Sequence, residues 1–290
     1  MKGPPTFPQQ RGAALLIALV GVALALLLAT ELIQRSQRDL ARTQALVDAE
    51  RGWQLAAGLD GLAREWIRQQ HEAGLAADAL DGRWSEWFPV PGGAVRGRVF
   101  DLSGRFNLNA LATRDAAEVA RARLAFERLA DALALEQELV DAILTLYAPG
   151  SDARRLPLAH LSELDALPAM GPARRRALET VVTVLPDPSS RLNINRAAPE
   201  TLAAWIDGLS PQQAEALIAR GPWNELDRVL AQPELAGLPQ LLLRQRLSID
   251  SRWYLAHAQV VLDGEPRDYF RLVGDGASGY DFRYVSLGIP

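Results

Sequence analysis

Arg11-Gly12-Ala13-Ala14-Leu15 sets a glycine directly before an uncharged run that lasts to Thr30, and the Gly12–Ala13 peptide bond is where hydrolysis could act. A secretory signal carries its small-residue cleavage site after the apolar stretch, and no Ala-x-Ala leading into a polar chain follows this one. Cleavage after Gly12 would keep the apolar helix and make Ala13 the new terminus. Other reactive groups are dispersed. His71, His160 and His257 lie far apart and form no His-x-x-His, His-Glu-x-x-His or nucleophile-elbow pattern. Cysteine is absent, which excludes a disulfide, a thiolate nucleophile and a Cys-ligated metal. The 35 carboxylates offer no spacing that selects an acid and a base. The expectation is therefore a chain that is not an enzyme.

The elements that must position Gly12 begin with the apolar run itself. From Ala13 to Ile33 the chain is apolar apart from Thr30 and Glu31, and at about 1.5 Å per residue it spans a bilayer core of about 30 Å once. Lys2 and Arg11 precede it and Arg35, Arg38 and Arg42 follow, so flanking charge orients it weakly. Beyond the membrane, Leu55, Leu59, Leu62 and Trp66 form a helical stripe predicted to be core. Gly52, Gly58 and Gly61 each weaken that helix by roughly 1 kcal/mol relative to Ala, so packing must hold it. Pro89, Pro91, Gly92 and Gly93 then break it. Residues 94–101 read as a strand, and a turn at Leu102-Ser103-Gly104 leads to Arg105-Phe106-Asn107-Leu108-Asn109 as the second arm of a hairpin, its Asn on the solvent side.

Residues 110–247 are rich in Ala, Leu, Glu and Arg, with helices expected over 117–134, 136–147, 173–184, 199–206 and 211–219. Pro199 and Pro211 suit first-turn positions. Strand patterns return at 253–261, 268–273 and 282–287, so a helical block interrupts one sheet. The fold class is α+β: a long N-terminal helix packed on an antiparallel sheet, with a large all-helical insertion. The expected boundaries are 1–12 for the leader, 13–33 for the membrane helix, 34–109 for the rest of the helix and first strands, 110–247 for the insertion and 248–290 for the closing strands. A chain of 290 residues, less its anchor, is long enough for about two cores.

The junction at Gly12 resembles class III prepilin leaders, in which a prepilin peptidase cuts after the Gly, and the segment is similar to type IV pilins and to the pseudopilins of type II secretion. Asp101-Leu-Ser-Gly-Arg-Phe-Asn-Leu-Asn-Ala-Leu111 resembles a stretch of the K-type minor pseudopilins, whose family is known for large helical insertions. Most pilin-like subunits carry Glu as the fifth residue after the cut, thought to neutralise the N-terminal amine of the preceding subunit; here that residue is Ile17. Absence of that acid marks the tip subunit, which has no amine above it to neutralise. The resemblance implies an inner-membrane protein with one span, its globular part in the periplasm, and a place at the tip of the pseudopilus after assembly. It further implies N-methylation of Ala13, helix packing through Leu15, Leu16, Ile17, Leu19 and Val20, and I-type and J-type minor pseudopilins as partners, with the H-type a further candidate. A minor pilin of a type IV pilus is the related alternative. Some K-type pseudopilins bind calcium through an acidic loop, but here Asp141 and Asp152 stand among mostly apolar residues, too few for a hard cation that needs six or more oxygens, so no metal or other cofactor is expected. Asp263, Glu265 and Asp268 read as a polar turn.

A rival reading lies inside the insertion. Leu192-Asn193-Ile194-Asn195-Arg196-Ala197-Ala198-Pro199 resembles the opening of helix-hairpin-helix DNA-binding modules of the competence type, and Leu167-Pro168-Ala169-Met170-Gly171-Pro172 resembles their hairpin. Such modules cradle phosphate on a Gly-rich turn. Ala169 replaces one Gly, and Asp207 beside Gly208 would repel phosphate. Arg174, Arg175 and Arg176 spread over different helix faces, and the net charge is -4. Nucleic acid is not expected as a partner.

Overall fold

The structure, a computed structural model, describes residues 11–73, 82–148, 156–262, 264–276 and 279–287. Helix α1 runs from Arg11 to Ala73, and the chain divides into two compact units after Gln54. The first unit contains the apolar part of α1, whose large side chains from Leu15 to Leu28 all face outward. Its polar stretch is supported by pairs one turn apart, including Arg35 to Glu31 at 2.5 Å and Gln54 to Glu50 at 3.0 Å.

In the second unit the chain passes through β1 (Phe88–Val90), β2 (Gly93–Asp101), β3 (Phe106–Asn107), α2 (Ala116–Ala132), α3 (Gln137–Leu146), α4 (Pro172–Val181), β4 (Val182–Thr183) and β5 (Leu192–Asn193). It continues with α5 (Pro199–Trp205), α6 (Pro211–Ala219), α7 (Leu226–Leu230), α8 (Gln240–Arg246), β6 (Leu247–Ser248), β7 (Trp253–Leu262), β8 (Glu265–Gly276) and β9 (Gly279–Leu287). A five-stranded antiparallel sheet has the order β1-β2-β7-β8-β9. β2 and β7 are neighbours, with Asp101 opposite Tyr254. The chain therefore leaves the sheet after Asp101, builds the helical block, and returns beside the strand it left. The α+β class follows from this arrangement.

The C-terminal part of α1 lies on one face of the sheet. Ala56, Ala63 and Ile67 are buried there, against Val95, Val260 and Tyr269 at one end and Val99, Tyr254 and Val273 at the other. The buried stripe is offset from the expected one: Leu62 is 45% exposed, whereas Ile67 is fully buried. Leu55, Leu59 and Trp66 flank that stripe. Small residues at 56 and 63 let the helix approach closely, and larger leucines fit only at its sides. Asp60 and Arg271 form an ion pair from α1 to β8.

The hairpin expected at 94–109 does not form. β3 is two residues long and pairs in parallel with β4, not with β2. Phe106, Asn107, Leu108 and Asn109 are all buried, so the run has no solvated face for an outer hairpin arm to present. α4 also ends at Val181, before the expected 184, because the β-branched run Val181-Val182-Thr183 continues as strand.

The helical block consists of two related halves. In the first, β3 pairs with β4 around α2, α3 and α4; in the second, β5 pairs with β6 around α5, α6, α7 and α8. Each half opens on Asn-x-Asn, at Asn107 and Asn109 and at Asn193 and Asn195. Each later carries Pro followed by a large apolar residue, Pro157-Leu158 or Pro222-Trp223, and then a Glu-Leu-Asp, at 163–165 or 225–227. One apolar core fills both halves, centred on Phe106, Phe126, Leu202 and Trp205. Phe106 meets Phe126 at 5.9 Å and Trp205 edge-on at 5.4 Å.

Candidate functional site

Helix α1 is described from Arg11 onward, and the Gly12–Ala13 bond lies within it. Residues 1–10 of the expected leader fall outside the described residues. The positions expected to pack with partner helices all face outward: Leu15 is 72% exposed, Ile17 70% and Val20 55%, with Leu16 and Leu19 between these values. α1 is long and apolar enough to cross a membrane. Among the described residues no acid lies in its first turn. Glu31 is the first carboxylate after the run, and Thr30 returns its hydroxyl to the Leu26 carbonyl at 2.7 Å. An all-round apolar helix can do one kind of chemistry in water or lipid: it can remove its surface by insertion or by packing against other helices.

The second region of interest is the junction where the sheet hands over to the helical block. Asp101, at the end of β2, accepts from the Ser103 amide at 2.8 Å, pairs with Arg196 at 3.3 Å and accepts from the Ser251 hydroxyl. The Ser103 hydroxyl accepts from the amides of Arg252 and Trp253 at 3.0 and 3.1 Å. Departing and returning chain are thus stitched together. Gly104 fits here because a side chain would collide: a Cβ would stand 2.2 Å from the carbonyl carbon and oxygen of Arg196.

The asparagines expected on a solvent face are instead buried clamps. Asn109 Oδ1 accepts from Leu158 N at 2.8 Å and Tyr147 Oη at 3.1 Å, while its Nδ2 donates to the Leu158 and Leu185 carbonyls at 2.9 Å each. Burial pushes the Tyr147 phenol up, keeping it a donor. Asn195 repeats the arrangement in the second half: Oδ1 accepts from Trp223 N at 2.7 Å, and Nδ2 donates to the carbonyls of Trp223 at 2.8 Å and Ile249 at 3.2 Å. The motif that resembled the opening of a DNA-binding module is thereby turned inward. Arg174 pairs with Glu136, and Arg175 with Asp165 at 2.5 Å and Glu179 at 2.7 Å. Asp207 is paired with Arg128 at 3.1 Å beside Gly208. Arg174, Arg175 and Asp207, the charged residues at the two resembling turns, are thus held in ion pairs within the chain.

His160 caps a short helical turn, its Nδ1 accepting from the Ser162 amide at 3.1 Å. The His71 side chain lies outside the described ones. His257, buried on β7, belongs to a network that sequence reasoning missed. Arg98 Nε donates to its Nδ1 at 3.0 Å, so Nε2 carries the proton, directed at Asp268 Oδ1 at 2.8 Å. The ring stacks on Phe270 at 4.1 Å and packs on Trp84 at 4.7 Å. Burial pushes the His257 pKa down, Arg98 adds to that, and the bond to Asp268 opposes it. Asp268, expected where a polar turn meets the strand 268–273, lies inside β8, which already begins at Glu265, and also accepts from Gln259 Nε2 at 3.1 Å. Asp263 and Asp152 fall outside the described residues, and Asp141 accepts from Gln137 Nε2 at 3.0 Å. Among the described residues, no three His, Asp or Glu side chains are grouped to hold a metal ion. The alternating pattern of β7 against β8 was the signal that could have put 257 and 268 on one face, where they are diagonal neighbours, Asp268 standing opposite Gln259 and His257 opposite Phe270.

Two adjoining family models match the chain, both described as type II secretion system protein K: one over residues 104–187 and one over 192–250. These spans coincide with the two halves of the helical block. The chain is 27% identical to type II secretion system protein K of Klebsiella pneumoniae, over 88% of this chain and 89% of that protein. It is 28% identical to the protein of the same name from Pseudomonas aeruginosa, over 73% of each. A chain from the crystal structure of the GspK-GspI-GspJ complex of enterotoxigenic Escherichia coli has the same fold, with a TM-score of 0.61 at 20% identity, covering 84% of this chain and 99% of that one.

Proposed function

The chain belongs to the type II secretion system protein K family, and on that premise we propose that this minor pseudopilin occupies the tip of the pseudopilus. Its globular part would stand in the periplasm above one span of the inner membrane. In this reading the work is assembly and not catalysis. Prepilin peptidase removes the first twelve residues at Gly12, and Ala13 becomes the N-methylated terminus. The exposed apolar face at Leu15, Leu16, Ile17, Leu19 and Val20 then packs with the helices of I-type and J-type minor pseudopilins. Those partners accord with the complex in which the structural relative was solved.

The observation that carries the tip position is Ile17. A carboxylate there would serve to neutralise the amine of a subunit above, and an apolar residue serves a subunit with none above it, since an unpaired charge in an apolar bundle is costly. The helical block that interrupts the sheet between β2 and β7 supplies the bulk that would block further addition. The test is the intact mass and N-terminal sequence of the membrane-expressed protein, with and without prepilin peptidase. Loss of Met1 through Gly12 only with the peptidase present is the expected result. Retention of those residues with an active peptidase would make α1 a plain anchor and overturn the reading.

A further inference from the structure

Between the outer face of the sheet and the helical block lies a groove of about 310 Å³. Its floor is apolar, with Phe100, Leu255 and Phe270 from the sheet and Leu161 and Val184 from the block. Its rim is cationic. Arg98, Arg105 and Arg176 line it together with His160, against one acid, Glu179. That acid is already engaged, 2.7 Å from Arg175 Nε. Arg105 donates to the Glu179 backbone carbonyl at 2.6 Å.

The other two guanidinium groups form no direct ion pair among the described residues, although the Asp268 carboxylate acts on Arg98 from the far side of the His257 ring. Arg98 is held by a neutral histidine nitrogen and by the faces of Trp84 and Phe100, at 4.2 and 4.6 Å, and forms no ion pair among the described residues. Arg176 is exposed on α4 and forms neither a hydrogen bond nor an ion pair among the described residues. In a chain of net charge -4 this local cationic surplus is not part of a general field. A half-buried guanidinium is costly when unpaired, and its planar fork matches a carboxylate. The apolar floor would be superfluous for a bare anion, and the volume sits at the low end of the range of about 300–1,000 Å³ for ligand sites, suited to one or two side chains.

We propose that this groove docks an acidic segment of a partner protein, in which an aromatic or leucine side chain fills the floor and flanking carboxylates pair with Arg176 and Arg98. Aromatic anchors held beside arginines are the usual centres of protein interfaces, and charge complementarity at the rim sets the choice of partner. The groove lies wholly outside the membrane helix, so the proposal stands independently of the tip assignment.

The test uses the full chain in phosphatidylcholine nanodiscs and short fluorescein-labelled peptides with a single Phe or Leu flanked by Asp and Glu, followed by fluorescence anisotropy. Saturable binding is expected, weakened about tenfold or more by Arg176→Glu and by the groove-filling Thr180→Trp. Both positions lie on the exposed side of α4, so the thermal midpoint should not move and lost binding would report the groove. Peptides with Lys in place of the acids, and acidic peptides with Ala at the anchor, should bind far more weakly. The proposal is overturned if no acidic peptide binds, if the Lys peptides bind equally, or if both variants bind undiminished. It is also overturned if the Ala-anchored peptide binds equally and inorganic phosphate displaces it, which would mark a simple anion site.

Discussion

His257 sits between a cation on one ring nitrogen and a carboxylate on the other, and that order fixes the ring as neutral. Protonating Nδ1 would set a second positive charge against Arg98, with Arg96 close behind. A ring whose pKa in the folded chain lies below its ordinary 6.5 binds fewer protons folded than unfolded, so its stability contribution is complete above 6.5 and is lost as pH falls through the lowered value. The thermal midpoint should therefore drop as pH is lowered from above 6.5, and His257→Gln, which cannot take the proton, should drop less; equal pH slopes in the two proteins would refute the role of the ring. Gly104 makes a second prediction at this scale. Its missing Cβ makes room for the Arg196 backbone, so Gly104→Ala should cost about 1–3 kcal/mol in a denaturant melt. The sequence showed a turn at Gly104 but not this close approach, because the colliding residue is far along the chain. His257 was equally opaque alone; its hydrogen-bond partners come from two other strands.

At the scale of elements, the helical periodicity of α1 was plain while its phase was not. Leucines mark a stripe by hydrophobicity, yet the face against the sheet is chosen by closeness of approach, which favours Ala56 and Ala63 and then Ile67. Ile67→Ala should cost about 2–5 kcal/mol, and Leu62→Ala, at an exposed site, about 0.5 or less, both measurable by chemical denaturation. Equal losses would return the stripe to its expected register. The helix over 116–132 was legible from composition, and those over 199–205 and 211–219 also from the prolines at their first turns. The duplication of the helical block was hidden because corresponding helices differ in length, 17 residues in α2 against 7 in α5. What the halves share is a set of hydrogen bonds. Asn109→Ala would orphan a buried amide and two buried carbonyls, at a cost of about 2 kcal/mol or more. Asn195→Ala, which loses the same kinds of bond in the second half, should show a comparable loss.

For the whole molecule, chain order carried most of the information: apolar helix, strands, helical block, strands. The interrupted sheet could be inferred because strand-like runs stand on both sides of an Ala- and Leu-rich stretch. Which strand lies next to which could not, since β2 meets β7 only after 151 intervening residues between Asp101 and Trp253 have folded back. The same architecture frames the last prediction, which concerns Ile17. If the subunit stands at the tip, no amine from above approaches position 17, and the surrounding helices present only apolar surface. Ile17→Glu would then bury a carboxylate without a partner, a cost of about 2 kcal/mol or more in a helix bundle within lipid. Cleavage after Gly12 should persist, because the peptide bond and leader are unchanged, while co-purification with I-type and J-type partners should fall by about tenfold or more. A variant that is matured and still recovers its partners in full would show that the apolar residue has no bearing on position, and the tip assignment would lose the observation that carries it.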